Sequence, residues 1–596
     1  MRVIGLISGG KDSLLSCTLC SVDHELVGFV HMEPKEGQKD NSFTNDSPHG
    51  TTDGPKGEGI HVVGADCEVD SVTFQSVGSS LLQQALPHLS SLPLIVAAMD
   101  DQAGELGALA TLLGRARQAW QADAVVSGAV DSNHQRDAFE AAAASAGLLS
   151  LAPMWRWPPA RVLWSCQLLG LRPIFVKVAG AGLPVHLLGR SIDYLGEPDQ
   201  AMRDGWDCDA DEQLAAAVRE LPRDDEAAAN AAVVTRTLDR AAARFGVHQA
   251  GEGGEFESFA LSGPLYDRAS LVVGTTHTVL VTDDDVAPVA ALSVDSFSLG
   301  PPAASSAADI LGKPKRNLSI PARPFYLGQP SHTATSAAAA DAGTTPSAVL
   351  VDPSVIVTTL PGDVRVVTHI PVGDSKDLKA ALAMGLEAAG AGADAAEVAF
   401  VSLWLPNMSA YGEVNQAYAP LFVESQARGA PWPARAAVQG VDGAGRLDLV
   451  LVPGARRNIH VQSVSNWAPA SIGPYSQASL TDAADLVAGQ IGLVPWTMAL
   501  AGPTVDDEAV QAARNVARVL ADGRQRGAPV GIVVCRTSEQ ALPHPLLQRI
   551  VSTIPGADMA RVVQRHVARL PKGAAVELVA VASSTLNPLE VLTTLY

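Results

Sequence analysis

The sequence predicts an α/β amino-terminal half, a parallel sheet with helices on both faces, followed by two smaller α+β units. Three observations carry that expectation. Short apolar runs alternate with amphipathic stretches through residues 1–200, the rhythm of parallel βαβ units. Those runs are apolar throughout, as strands buried on both faces require. Further on, paired strands precede an alanine-rich helix and another apolar strand, and this order recurs about one small-domain length later, a degenerate tandem repeat.

In chain order, Arg2–Ile7 reads as a buried strand, Ser13–Cys20 as helix and Glu25–Met32 as a second strand. Strands follow at Leu92–Ala97, Ala124–Ser127, Leu148–Pro153 and Ile174–Val178, with helices at Glu105–Gln121 and Arg136–Ala146 between them. Lys35–Glu58 is rich in Gly, Pro, Asp and Thr without a period, the composition of a disordered insertion. Leu299–Ala348 contains PPAASSAAD and TATSAAAADAGTTPS and reads as a linker. Beyond it, Val355–Thr359 with Val364–Ile370, and Leu486–Leu493, precede helices at Leu378–Ala389 and Glu508–Leu520. Each helix leads to an apolar strand, Val398–Leu405 and Val530–Arg536.

Composition narrows the function. At about 150 residues per domain, 596 residues suggest roughly four units. The 42 Lys and Arg against 63 Asp and Glu leave a net charge of −21, which repels nucleic-acid backbones unless a local basic patch intervenes. Six cysteines are too few for a disulfide framework, so a reducing compartment is expected. The opening MRVIGLIS lacks a signal-peptide core, and no apolar run nears the ~18 residues of a membrane span. The expectation is a cytoplasmic enzyme bound to neither membrane nor nucleic acid.

The sharpest motif is Ser8-Gly9-Gly10-Lys11-Asp12-Ser13, between the first strand and first helix. Small residues let the backbone curl around an anion, and the helix start adds its positive dipole. Lys11 supplies a mobile cation for phosphate, and Asp12 or Ser13 suits Mg²⁺ or a phosphate oxygen. The spacing matches neither the Walker loop nor the dinucleotide fingerprint. A second constellation is Gly251-Glu252-Gly253-Gly254-Glu255-Phe256-Glu257-Ser258. Glu255 and Glu257 share one face if the chain is extended, and paired carboxylates bind cations, hold Mg²⁺ or move protons. Cys17 and Cys20 have redox spacing but lie inside a helix, where buried structural thiols are expected. Trp155 and Trp157, flanking Arg156, could stack on a substrate, but core or rim packing is the preferred reading. Asp224–Glu226 reads as a solvated helix start.

The phosphate loop resembles the SGGxDS loop of ATP pyrophosphatases. Taken in order with Phe74-Gln75-Ser76-Val77-Gly78, Ser127-Gly128-Ala129, Gln135-Arg136, Phe175-Val176-Lys177-Val178-Ala179 and Gly251–Ser258, it resembles the diphthine–ammonia ligase (diphthamide synthetase) family over about residues 1–285. Asn133 and His134 depart from the aspartate and tyrosine expected before Gln135. In the carboxy-terminal half, Ala470-Ser471-Ile472-Gly473-Pro474-Tyr475-Ser476-Gln477-Ala478, Ala488–Leu493, and Leu570-Pro571-Lys572-Gly573 with Glu577 resemble RidA imine deaminases. The first copy is marked mainly by Pro433-Ala434-Arg435-Ala436.

The resemblance implies a Rossmann-like (HUP-type) ATP domain at 1–285, with 35–58 as insertion, and a largely flexible linker at 286–345. Two RidA-like (chorismate mutase-like) domains then follow at 346–456 and 457–596. It implies ATP-dependent amidation of diphthine on translation elongation factor 2 by ammonium, through an acyl-adenylate, giving diphthamide, AMP and pyrophosphate. Ser8, Gly9, Gly10, Lys11, Asp12, Ser13 and Gly128 are expected to hold nucleotide, with His31 and Met32 at the adenosine, where open α/β sheets place it. Asp12 is the expected Mg²⁺ partner, Lys11 and Asp12 the catalytic pair at phosphate. Gln135, Arg136, Gly253, Gly254, Glu255 and Glu257 are expected at the substrate, the two glutamates also in catalysis. No glutaminase cysteine is visible, so free ammonium is the expected nitrogen donor.

RidA enzymes clamp a substrate carboxylate with an arginine, a role suited to its planar fork. In the second copy that position falls on Val562, and the first copy keeps Arg435 but lacks the Gly-Pro-Tyr-Ser-Gln segment. Scaffolding or oligomerisation is therefore the preferred expectation for these copies, with a composite site of Arg435, Tyr475 and Glu577 as the alternative. For the whole chain the alternatives are a tRNA-modifying ATP pyrophosphatase, an imine deaminase and a nucleotide-sensing scaffold.

Overall fold

Of the first six strands, β1 (Arg2–Leu6), β2 (Glu25–Glu33), β3 (Ile60–His61), β4 (Leu94–Ala98), β5 (Ala124–Val126) and β6 (Leu149–Leu151), all but β3 join one sheet. Its order is β4-β2-β1-β5-β6, every pairing parallel. Helices α1 (Lys11–Asp23), α2 (Ser79–Leu89), α3 (Gly104–Trp120) and α4 (Asn133–Ser145) make the crossovers. The chain runs outward one way from β1 through β2 to β4, and the other way from β5 to β6. That reversal opens a crevice at the carboxyl ends of β1 and β5, where open α/β sheets bind ligands.

This computed structural model describes residues 1–33, 60–61, 77–98, 104–197, 208–284, 286–302, 305–312, 318, 320, 354–390, 392–423 and 432–596. They divide into two units, one within residues 1–319 and one within 320–596. The expected insertion at 35–58, Phe74–Ser76, and most of the expected linker lie outside the described residues.

Two expectations change within the first unit. Ile174–Val178 does not extend the parallel sheet. As β7 (Pro173–Val178) it pairs antiparallel with β8 (Phe256–Ala260) in a second sheet. An apolar run marks burial on both faces, which β7 has, but carries no information on the neighbour's direction. The fold also continues past residue 285. After β9 (Ser270–Val273) and β10 (Thr276–Thr282), β11 (Val289–Val294) completes the order β10-β11-β7-β8, and β12 (Ser296–Gly300) pairs with β3 and β9. Residues 289–300 thus belong to sheets, not to the expected linker at 286–345.

Helix Asp225–Phe245 begins where predicted: the Asp224 side chain accepts the Ala227 N–H at 2.8 Å, and Gly246 ends it with φ 72°. Cys17 and Cys20 are fully buried in α1, and burial raises both thiols, so neither is poised as a thiolate.

The second unit holds the repeat. Its first module contains β13 (Ile356–Leu360), β14 (Val364–Pro371), β15 (Val398–Leu405), β16 (Ala434–Gln439) and β17 (Arg446–Leu451), in the order β13-β14-β17-β15-β16. The second contains β18 (Arg457–Ile459), β19 (Ala478–Leu480), β20 (Asp485–Ile491), the hairpin β21 (Leu493–Val494) and β22 (Ala499–Leu500), then β23 (Val530–Arg536), β24 (Ala557–His566) and β25 (Val576–Ala582). Its sheet, β18-β19-β20-β25-β23-β24, repeats the first order and again ends on a parallel pair. Helices Leu378–Ala389 and Val505–Ala521 occupy equivalent places, the latter started by a reciprocal Thr504–Asp507 cap. The modules meet through β16: the Ser476 N–H donates to the Pro433 carbonyl at 3.2 Å, and the Ala434 N–H to Ser479 Oγ at 3.0 Å.

Candidate active site

The phosphate loop turns directly from β1 into α1. Gly9 takes φ +89°, and a Cβ there would lie 2.7 Å from the Phe259 ring, so the turn needs glycine. Ser13 Oγ accepts the Ser8 N–H at 3.1 Å and donates to the Gly10 carbonyl at 3.1 Å. The Gly10 N–H reaches Ser8 Oγ at 3.3 Å. These bonds hold the loop in shape at the positive end of α1. Gly128 lies against it: a Cβ would sit 2.8 Å from the Ser13 nitrogen, so the loop after β5 touches the first turn of α1.

Lys11 was expected to be a mobile cation and is instead a fixed one. It is 2% exposed, with Nζ donating to Asp12 Oδ2 at 2.7 Å and to the Ala250 carbonyl at 2.5 Å, 5.2 Å from the Phe256 ring centre. Burying an ammonium without such partners would be costly. Its backbone N–H donates to Ser258 Oγ at 3.1 Å. The two motifs, 247 residues apart, are therefore one site.

The paired glutamates do not share a face. Glu255 folds back over its own loop, Oε1 accepting the His248 N–H and Oε2 the Gly253 N–H, both at 2.8 Å. Glu257 on β8 accepts the Val77 N–H at 2.9 Å and faces Lys177 Nζ at 3.5 Å. The reason is register: Glu255 lies in the turn before β8, where alternation does not apply. Gly251 and Gly254 have φ of +77° and +80°, and a Cβ on Gly253 would meet Glu255 Oε1 at 2.7 Å.

His31 is buried and bridges the Ile7 carbonyl at 2.9 Å and Ser79 Oγ at 2.7 Å. Burial lowers its pKa. Met32 beside it is also buried. Gln135 lies in the first turn of α4, its N–H on Ser132 Oγ at 3.3 Å. Arg136 is buried and ion-paired to Glu140 at 2.8 Å and Asp137 at 2.7 Å, its guanidinium 4.7 Å from the Trp155 ring centre.

Glu252 is a residue that the sequence reading passed over. Its Oε2 accepts the Asp131 N–H at 3.2 Å, joining the glycine-rich loop to the head of α4. Burial, then the nearby Asp12 carboxylate, raises it to about 7, against the pull of the Asp131 amide and Lys11. No spacing rule marks a lone glutamate between glycines.

A second site lies in the carboxy-terminal unit. Arg435, Tyr475 and Glu577, drawn from both modules, line one cavity of about 20 Å³, room for about one water. Arg435 Nη2 donates to Asn415 Oδ1 at 2.6 Å, and its guanidinium lies 4.6, 5.3 and 5.7 Å from the rings of Tyr418, Tyr475 and Tyr411. Among the described residues, Arg435 Nη1 and Glu577 Oε2 are buried without a hydrogen-bond partner. Burial raises Glu577 to about 8, with Arg435 opposing.

The glycine-rich turn from β1 into α1 thus sits at the crevice of a parallel sheet, in a chain that also carries two repeated α+β modules. No protein-family profile matches the chain. It is 28% identical over 303 residues to the diphthine–ammonia ligase of Danio rerio, covering 48% of this chain and 92% of that one. To the diphthine–ammonia ligase of Schizosaccharomyces pombe it is 24% identical over 527 residues, 84% and 74% of the two chains. A 117-residue stretch is 34% identical to the 2-iminobutanoate/2-iminopropanoate deaminase of Mus musculus, 19% and 84% of the two chains. Among solved structures, RidA from a Psychrobacter species gives a TM-score of 0.17 at 26% identity, covering 20% of this chain and 94% of that one. Over most of its length the chain is similar to diphthine–ammonia ligases.

Proposed function

We propose that this chain amidates diphthine on translation elongation factor 2, using ATP and ammonium. The observation that carries the reading is the bond between the Lys11 N–H and Ser258 Oγ, which joins the phosphate loop to the family's glycine–glutamate segment. A carboxylate is a poor acyl donor, so it first attacks the α-phosphorus of ATP, giving an acyl-adenylate and pyrophosphate. Ammonia then attacks the acyl carbon and AMP leaves. Gly9, Gly10 and Ser13 cradle phosphate oxygens, Lys11 offsets developing charge, and no protein nucleophile is needed. His31 and Met32 line the adenosine side, and Gly253, Gly254, Glu255 and Glu257 form the wall facing diphthine, with Gln135 and Arg136 bracing its rim.

Among the described residues Asp12 Oδ1 is buried without a hydrogen-bond partner while Oδ2 holds Lys11, and a carboxylate oxygen so placed beside a phosphate loop fits Mg²⁺. The ion would neutralise phosphate charge. No helix among the described residues is long and apolar enough to cross a membrane.

Pyrophosphate release tests the reading. It should rise with elongation factor carrying diphthine and stay at background with tRNA or with neither. Stimulation by tRNA alone would favour the RNA-modifying alternative.

A second reading concerns the carboxy-terminal unit. Convergence of Arg435, Tyr475 and Glu577 on one cavity favours imine chemistry on a small carboxylic acid there, over a purely scaffolding role.

A further inference from the structure

We propose that Gln249 is a positioning residue for Lys11: it fixes the carbonyl on which the Lys11 ammonium is held, and so sets where that cation meets a nucleotide phosphate. The inference rests on the ligase reading above. An ammonium has three N–H donors and no acceptor. Two of the three are committed, to Asp12 Oδ2 at 2.7 Å and to the Ala250 carbonyl at 2.5 Å. No third acceptor engages it among the described residues, which leaves one donor for a phosphate oxygen. With two bonds fixed, the tetrahedral nitrogen aims the third, and a shift of either acceptor moves that aim.

Ala250 does not anchor its own carbonyl. Its side chain is a methyl, and Gly251 after it has none. The two lie in a turn that the Gly251 N–H closes on the His248 carbonyl at 2.7 Å. Gln249 is the side chain beside Ala250 that ties this turn to a helix. Its Nε2 donates to Asp239 Oδ1 at 2.6 Å and to Tyr194 Oη at 2.9 Å. Tyr194 Oη donates in turn to the same Asp239 oxygen at 2.7 Å. Three side chains thus close a ring of hydrogen bonds. A carboxylate offers only acceptors, so the amide must present its NH₂ to it, and one orientation of Gln249 is selected.

The other two members of the ring are themselves held. Asp239 belongs to the 21-residue helix Asp225–Phe245. Tyr194, 1% exposed, is pinned through its backbone. Gln167 Nε2 donates to its carbonyl at 2.8 Å, and the Leu195 N–H donates to Thr235 Oγ1 on the same helix at 2.9 Å. The route from a long helix to the ammonium is therefore short: Asp239, Gln249, one residue of backbone, Lys11. A donor held in place before charge develops has no reorganisation to undergo when it does. Misplacing such a group by about 1 Å can cost ~100-fold.

Gln249→Glu breaks the ring at nearly constant size, because it sets a second carboxylate against Asp239. Binding of a non-hydrolysable ATP analogue with Mg²⁺ to the full chain, followed by calorimetric titration, should weaken ~10-fold or more, at a stoichiometry still near one. Adding Asp239→Asn to Q249E exchanges donor and acceptor, so that the asparagine amide donates to the new carboxylate. That double variant should recover to within ~3-fold of the unsubstituted chain. Q249E placed on Lys11→Ala should weaken binding by less than ~2-fold further, because the two act on one contact. Unchanged affinity in Q249E would overturn the inference, as would a fall in stoichiometry alone, the mark of a merely loosened fold. So would a double variant that binds no better than Q249E, or a full additive loss on Lys11→Ala. If the unsubstituted chain binds no nucleotide, the ligase reading itself fails and takes the inference with it, a distinct result.

Discussion

The backbone N–H of Lys11 donates to Ser258 Oγ at 3.1 Å, and this bond between the first turn of α1 and strand β8 is what makes the candidate site a single object. It is reinforced by the Ala260 N–H, which donates to the Gly9 carbonyl at 2.9 Å. The second sheet thus stitches its β8 edge to the phosphate loop of the first. A ligand gripped by the loop must therefore lie against the glycine–glutamate segment.

Ser258→Ala removes the acceptor and leaves a buried N–H unpaired. The expected cost is ~1–3 kcal/mol of stability, with weaker ATP binding, because the loop loses its anchor at the residue after Gly10. Thermal unfolding and calorimetric titration with a non-hydrolysable ATP analogue measure the two effects. An unchanged melting temperature together with unchanged affinity would show that the contact is incidental.

Gly128→Ala tests the other wall. Its Cβ would fall 2.8 Å from the Ser13 nitrogen and 2.9 Å from the Asp12 carbonyl carbon, both backbone atoms that cannot swing aside. Either the loop after β5 or the first turn of α1 must shift, at an expected ~1–3 kcal/mol for the overpacking. Nucleotide affinity should fall ~5- to 150-fold by the same titration if that cost bears on the loop that binds. Retained affinity would mean that the crevice is more yielding than this contact implies.

Much of this architecture is legible in the residues themselves. Leu378–Ala389, Val398–Leu405 and Val530–Arg536 fall at the residues that patterning marks, because each is long and its burial is decided by one face or by both. Strand β7 was legible as a strand, but not in its direction, since a run buried on both faces looks alike in either sheet. Strands β11 and β12 were lost in a segment whose neighbours have linker composition. At the site, Ser8–Ser13 is legible because a phosphate grip is local. The roles of Glu252, Glu255 and Glu257 are not, because they depend on which backbone amides a folded loop presents. Arg435 and Glu577, 142 positions apart (577 − 435), meet only when β16 of one module lies against the other.

Glu577 gives that junction a pH signature. It is 3% exposed on β25, and a Cβ on Gly489 would come within 1.9 Å of its Oε1, so glycine there is the space that the carboxyl occupies. Burial raises its pKa to about 8, with Arg435 pulling the other way, while the unfolded chain keeps an ordinary carboxylate value. Between the two values the folded state holds a proton that the unfolded state has released. Its contribution is therefore fully present below the unfolded pKa and is lost as pH rises toward about 8. Glu577→Gln mimics the protonated side chain and cannot ionise. In calorimetric scans of the full chain, the variant's advantage in the transition of the carboxy-terminal unit should be small near pH 5 and grow toward pH 8, at up to ~1.4 kcal/mol per pH unit. A difference independent of pH, or an advantage for the unsubstituted chain that grows with pH, would mean that Glu577 is ionised beside Arg435, and that the cavity is charge-balanced instead of positive.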